Sequence, residues 1–297
     1  MPISLADSIR GALWGVLVAD ALGVPHEFKF ATAIPSIFDM VMPSDYVKTF
    51  PRVPYGTWSD DGSLTLAMAD SLVASKGVDE EDFGRRATLW FTQSDYTPDK
   101  HTYDVGNTTQ EAILRMMRGY AARVAGLTAE NANGNGSLMR TIPLALWHQG
   151  SDEELYNDAG RLSAVTHGHD TSKAACGVYC VAARRMMRGG TAARSFIEGL
   201  KCSHVRLELP PQPRGSGYVL DTLAYAIHAA RSGASYEKCV VGAIRLGWDT
   251  DTTAAVVGGL IGARDGVGAI PAKWLNAMRG RAVADRIIES FVSARSV

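Results

Sequence analysis

LADSIRGALWGVLVADA, residues 5 to 21, sets Ile9, Leu13, Val16 and Leu17 at i, i+4, i+7 and i+8, which is one face of a helix. Gly23 and Pro25 end the run. At about 100° per residue, Asp20 falls on that same apolar face. A carboxylate there must be hydrogen-bonded or charge-paired, because an isolated buried one costs several kcal/mol or protonates. Asp20 is therefore either a structural cap for the following loop or part of a site.

Working outward, apolar residues recur at helical spacing through most of the chain, and alternating Val/Ile/Thr strands are nearly absent. The pattern predicts an all-α protein with about a dozen helices. Besides residues 5 to 21, helices are expected over 63 to 76, 80 to 92, 107 to 120, 152 to 164, 171 to 188, 191 to 199, 218 to 231, 236 to 246, 252 to 263 and 281 to 294. No stretch has the composition of a linker, so residues 1 to 297 are read as a single compact multi-helix domain. Loops 43 to 62, 131 to 137 and 203 to 217 are rich in Gly, Pro, Asn and Asp. Turn chemistry accounts for such loops, and loops on a rigid scaffold are also where sites lie.

The 30 basic and 31 acidic residues are interspersed and give a net charge of -1. No basic stripe is available for a phosphate backbone, which argues against nucleic acid as a partner. Apolar runs are broken well short of ~20 residues, so neither a membrane span nor a secretory leader is expected, and a cytoplasmic monomer is the expectation. Cys176, Cys180, Cys202 and Cys239 match neither a disulfide framework nor paired zinc knuckles and read as reduced thiols. The histidines show no zinc spacing, and His169 reads as solvent-facing. Gly258 and Gly262 suit close helix packing.

Two acidic clusters stand out. GWDTDTTAAVVGGLIGARDG, residues 247 to 266, crowds Asp249, Asp251 and three threonines ahead of an apolar run. On a helix, residues two apart diverge by about 200°, so the pair is placed in the turn entering a helix, with Asp251 or Thr252 as N-cap. At the positive end of the helix dipole both carboxylates are expected to stay ionised. YGTWSDDGSLTLAMADSL, residues 55 to 72, repeats the arrangement with Ser59, Asp60, Asp61 and a turn-forming Gly62. Each set could simply cap its own helix. Together, four carboxylates and two hydroxyls also suit two hard cations. A diphosphate site of helix-borne aspartates would want a third Asp one turn on, where Leu64 and Thr65 stand. A phosphotransferase reading lacks a P-loop with its lysine.

The chain resembles the ADP-ribosylglycohydrolases, in seven ordered blocks: GALWGVLVADALGVPHEF (11 to 28), GTWSDDGSLTLAMADSL (56 to 72), DVGNTTQEAI (104 to 113), GNGSLMRTIPLAL (134 to 146), THGHDTSKAACG (166 to 177), SGYVLDTLAYA (216 to 226) and GWDTDTTAAVVGGLIGA (247 to 263). The resemblance implies an orthogonal all-α fold around a central dinuclear cleft holding two Mg²⁺ or Mn²⁺ ions. It implies hydrolysis of the C1″ bond joining ADP-ribose to an acceptor, so ADP-ribose or an ADP-ribosylated substrate is the expected partner. By motif position Ser59, Asp60, Asp61, Asp249, Asp251 and Thr252 would be metal ligands. Glu27 or Asp60 would accept the proton of the attacking water. Gly134, Asn135, Gly136, Ser137, Leu138, Met139 and Arg140 would wrap the diphosphate, with Gly106, Asn107, Thr108, His167 and Tyr218 lining the cleft. Asp20 would pin a loop behind the ligands. Trp58 and Trp248 flank the two clusters as candidate walls, and the loops 29 to 55 and 203 to 217 would form the mouth. SDDG departs from the commoner TDDT, and Gly62 deletes a hydroxyl. The alternative reading is a catalytically inactive ADP-ribose-binding or structural protein on the same fold.

Overall fold

The computed structural model describes residues 3–35 and 39–295; residues 36 to 38 of the expected mouth loop and the chain's extreme ends lie outside the described residues. Among the described residues there are thirteen α-helices and no sheet, so the fold is all-α. Only isolated bridges pair extended backbone: Phe30 with Gly247, Leu127 with His167, and Gly134 with Tyr218.

The first helix, α1 (Leu5–Gly23), starts at an Ser4 cap that accepts from the Asp7 N–H at 3.1 Å. It is more deeply placed than an amphipathic pattern suggests, because every residue from Gly11 to Gly23 is buried. Its main partner is α11 (Thr250–Asp265), which is also buried from Thr250 to Ala263. The two run antiparallel at very close range. A β-carbon on Gly15 would lie 2.4 Å from the Gly258 carbonyl oxygen, and one on Gly11 would lie 2.3 Å from that of Gly262. These backbone approaches are possible only for glycine, as the sequence anticipates for Gly258 and Gly262.

Around this pair lie α2 (Asp60–Ser75), α3 (Glu80–Gln93), α4 (Asn107–Met117), α5 (Ile142–Trp147), α6 (Asp152–Ala164), α7 (Asp170–Met187), α8 (Ala192–Cys202), α9 (Val219–Ser232), α10 (Tyr236–Ile244), α12 (Ala272–Asn276) and α13 (Arg281–Arg295). A contiguous apolar cluster joins residues from α1 through α13. Two helices escape the periodicity argument: α5 and α12 are six and five residues long, too short to display an amphipathic repeat. The other shifts are at element boundaries: α4 ends at Met117 rather than 120, and α8 at Cys202 rather than 199. Helix α2 begins at Asp60 rather than 63, and α11 at Thr250 rather than 252. The loop 131 to 137 contains two 3₁₀ turns, Glu130–Ala132 and Asn135–Ser137.

All four cysteines are free. His169 is not a solvent-facing bystander. It caps α7 by accepting from the Thr171 N–H at 3.2 Å, and its Nε2 lies 2.9 Å from Glu130.

Candidate active site

The antiparallel pairing brings the C-terminal end of α1 to the N-terminal end of α11. Asp20 is fully buried near that end, and both its carboxylate oxygens accept from the Ser59 N–H, at 3.0 and 2.9 Å. Oδ2 also accepts from the Gly62 N–H at 2.8 Å. Asp20 thus satisfies the orphan donors that open α2 and fixes the second acidic segment beside the first.

Both expected N-cap geometries are revised. Asp249, not Asp251 or Thr252, is the N-cap residue of α11, and its side chain makes no capping bond. Asp251 sits within the first turn and its Oδ1 accepts from the Thr252 N–H at 2.9 Å. Gly62 likewise lies inside the first turn of α2, not in a turn before it. A β-carbon there would meet Trp58 Cδ1 at 2.6 Å and Leu17 Cδ2 at 2.7 Å.

The sequence-selected residues are largely gathered at this junction. Asp61 Oδ2 accepts from the Thr252 hydroxyl at 3.2 Å and from the Ser59 hydroxyl at 3.3 Å. Asp20, Asp61 and Asp251 offer carboxylate oxygens all within 4.8 Å of one another, and so do Glu27, Asp104 and Asp251. Asp251 belongs to both triads. Asp60 and Asp249 stand outside the triads and line the adjoining cavity. Asp104 was not singled out from the sequence. It is a lone carboxylate in a stretch without periodicity, held at a positive φ of 55°, and the only signal was its place at the head of the DVGNTTQEAI block.

Within the chain alone, burial and neighbouring charge work against the ionisation expected of Asp249 and Asp251 from the helix dipole. Burial, and then the charges of Glu27, Asp104 and Asp61, push Asp251 well above the ordinary carboxylate value. Asp60 and Asp61 are raised well above it by the same causes, with burial the largest, and Asp104 and Asp249 are also raised. Glu27 is pushed up to about 11 and Asp20 to about 7, in both cases chiefly by burial. Crowding seven carboxylates in a low-dielectric pocket outweighs one helix end. The group calls for positive charge from outside the chain. Four buried oxygens support this by lacking any hydrogen-bond partner: Glu27 Oε2, Asp61 Oδ1, Asp249 Oδ1 and Asp251 Oδ2. An all-oxygen donor set of this kind suits a hard divalent cation.

A cavity of about 490 Å³ opens from the carboxylates. One wall is the N-terminus of α4, with Gly106, Asn107 and Thr108. The opposite wall has Gly134, Asn135, Gly136, Met139, His167 and Gly217. Asn135 Nδ2 donates to Asp249 Oδ2 at 2.7 Å and to the Thr222 hydroxyl at 2.9 Å, so its side chain orients a carboxylate. His167 is buried, its Nδ1 lies 2.7 Å from the Thr166 hydroxyl, and burial with the nearby Arg140 charge lowers it to about 3. It is a neutral imidazole at physiological pH.

The expected GNGSLMR wrap is only partly at the cavity. Ser137, Leu138 and Arg140 are buried and do not line it. The Ser137 hydroxyl accepts from that of Ser163 at 2.9 Å, Leu138 joins the core, and Arg140 braces the loop by donating to the Gly136 carbonyl and, at 2.7 Å, to the Thr166 hydroxyl. The N–H groups of Asn135, Leu138 and Met139 are already given to the carbonyls of Gly217 and Asn135. Tyr218 is the N-cap residue of α9 and is half-exposed beside the cavity rather than in its lining. Trp58 is fully buried and donates to the Tyr96 carbonyl at 3.0 Å, so it supports the site from beneath. Trp248 lines a second cavity of about 350 Å³ with Glu27, Phe28, Ser216, Gly217 and Asp249.

A helical scaffold whose first and eleventh helices converge on buried carboxylates defines the class: the chain belongs to the ADP-ribosylglycohydrolase family, whose model it matches over residues 1–297. It is similar, at 28% identity over 281 residues, to the ADP-ribosylarginine hydrolase Tri1 of Serratia proteamaculans (strain 568), covering 91% of this chain and 75% of that protein. It is 29% identical over 279 residues to the ADP-ribosyl-[dinitrogen reductase] glycohydrolase of Rhodospirillum rubrum, covering 92% and 90% respectively. A solved structure titled ADP-ribosylglycohydrolase-related protein complex superposes with a TM-score of 0.80 at 30% identity, over 98% of this chain and 99% of that one.

Proposed function

We propose that the chain, as one domain, is a metal-dependent hydrolase that cleaves the C1″ glycosidic bond between ADP-ribose and an acceptor. The observation that carries this reading is the pair of carboxylate triads sharing Asp251 beside a cavity of nucleotide size. Asp20, Asp61 and Asp251 would hold one Mg²⁺ or Mn²⁺, and Glu27, Asp104 and Asp251 a second. When bound, such ions polarise ribose hydroxyls and acidify a water.

The chain's own groups divide the remaining work. The exposed N–H groups at the start of α4, where Gly106 provides no side-chain cap, suit the diphosphate. Gly134 and Gly136 let the sugar approach backbone closely, and neutral His167 offers Nε2 without adding charge. Asn135 keeps Asp249 aimed at the ribose end. Glu27, 5% exposed and lining both cavities, would take a proton from the attacking water once cation charge offsets the burial and neighbouring carboxylates that raise it, with Asp60 also on the cavity wall. The water oxygen bonds to C1″, the C1″–acceptor bond breaks with its electron pair passing to the acceptor, and the acceptor leaves with the proton that Glu27 took from the water. No described helix is long and apolar enough to cross a membrane.

The test is release of ADP-ribose from peptides ADP-ribosylated on arginine or serine, with Mg²⁺ and with EDTA. Mg²⁺-dependent release that Asp61→Asn abolishes is expected. Release undiminished by EDTA, or none from any conjugate, overturns the reading.

A further inference from the structure

We propose that Phe28 and Trp248 form an aromatic clamp at the mouth of the acidic cleft and that it receives a planar cation, the guanidinium of an ADP-ribosylated arginine. The proposal rests on the hydrolase reading above and names its acceptor.

Each aromatic residue is the chain neighbour of an acidic one: Phe28 follows Glu27 and Trp248 precedes Asp249. Both are held in the left-handed region, at φ 58° and 59°, which costs energy for any residue with a β-carbon. They are locked to one another's strand. The Phe28 N–H donates to the Trp248 carbonyl at 2.7 Å, and the Trp248 N–H donates to the Lys29 carbonyl at 2.8 Å. The Phe30 ring packs on Trp248 edge-on, 4.9 Å between centroids.

Burial does not account for this arrangement. Phe28 is 61% exposed and Trp248 47% exposed, so about half or more of each residue's surface stays in solvent despite the backbone strain. Strained backbone presenting exposed aromatic rings beside a cleft points to a binding task.

The chemistry of the cavity selects the occupant. Phe28 and Trp248 share it with Ser216, Gly217 and the carboxylates of Glu27 and Asp249, and no lysine or arginine lines it. Aromatic faces beside carboxylates favour a cation over an anion or a neutral apolar group. A guanidinium adds planarity, which lets it lie flat on a ring. It also stands next to the carboxylates that flank the scissile bond, because Glu27, Phe28 and Asp249 belong to both cavities. A serine linkage would present neither charge nor plane.

The full chain with Trp248→Gly and Trp248→Phe tests this. Substrates are one peptide ADP-ribosylated on arginine and one on serine, with free ADP-ribose as a binding control and thermal melting as a folding control. Trp248→Gly is expected to raise KM for the arginine conjugate about tenfold, with kcat within about twofold. The arginine-over-serine preference should fall by the same factor. The melting temperature should hold or rise, since glycine adopts the left-handed conformation without strain, and affinity for free ADP-ribose should hold. Trp248→Phe keeps a ring and should recover most of the preference. Equal losses on both conjugates, a weakened ADP-ribose complex, or a wild type that favours serine would overturn the clamp while leaving the hydrolase standing. A wild type inactive on both conjugates removes the hydrolase reading and the clamp with it.

Discussion

Gly23 lies so close to Asp251 that a β-carbon on the glycine would sit 2.3 Å from the Asp251 Cα. The last residue of α1 therefore sets the position of the carboxylate common to both triads. Its carbonyl also accepts from the Thr250 hydroxyl at 2.9 Å.

Gly23→Ala tests that spacing. The nearest atoms are all backbone, Asp251 Cα and N and the Thr250 carbonyl carbon, so no side chain can swing aside. The overpacking cost of about 2–3 kcal/mol exceeds the roughly 1 kcal/mol that alanine gains over glycine in a helix. A melting temperature several degrees lower and weaker Mg²⁺ binding by calorimetric titration are expected. An unchanged melt with unchanged Mg²⁺ affinity would show that α11 does not depend on this contact.

Gly62→Thr restores the hydroxyl missing from SDDG, and it should not tighten Mg²⁺ binding. The new β-carbon would strike Trp58 and Leu17, both fully buried. A loss of about 2 kcal/mol in denaturant unfolding is expected. Tighter Mg²⁺ binding at undiminished stability would mean that Trp58 yields more readily than its packing suggests.

Acid should weaken the α6–α7 junction in a defined direction. Burial alone would raise Asp152, but hydrogen bonds from Arg184 and Arg185 outweigh it and hold the carboxyl below its usual 3.8. The Arg185 bond is 2.6 Å, and the Arg184 side chain is 2% exposed. A depressed folded-state value contributes stability above about pH 3.8, which is lost as pH falls through the folded value. Asp152→Asn should cost about 2 kcal/mol at pH 7, allowing for partial screening of Asp152. Denaturation curves at pH 7 and pH 3 check this: the gap between variant and wild type should narrow in acid. A gap that is constant with pH would assign the loss to packing alone.

Much of this architecture could be read directly from the chain. The apolar spacing of Ile9, Leu13, Val16 and Leu17 marked α1, and the same reasoning placed Asp20 in the interior, where it is fully buried. Spacing could not choose between cap and site for Asp20, because that depends on the Ser59 and Gly62 amides, 39 and 42 residues away. The two acidic clusters were visible as composition, while their convergence depends on glycines that matter only when two helices meet. Asp104 had no local pattern to announce it. The motif alone places Ser137, Leu138 and Arg140 in the cleft, yet the folded segment gives Gly134, Asn135, Gly136 and Met139 to the cavity and buries the other three.

The closeness of α1 and α11 also bears on how the protein is made. Gly11 and Gly262 are neighbours in space but lie 251 residues apart in the sequence. A nascent chain must therefore carry α1 without its main partner until α11 leaves the ribosome. Asp20 can meet the Ser59 and Gly62 amides early, but the glycine stripe stays uncovered and Asp249 and Asp251 stay absent, so this long-range closure makes the acidic centre a late product of folding.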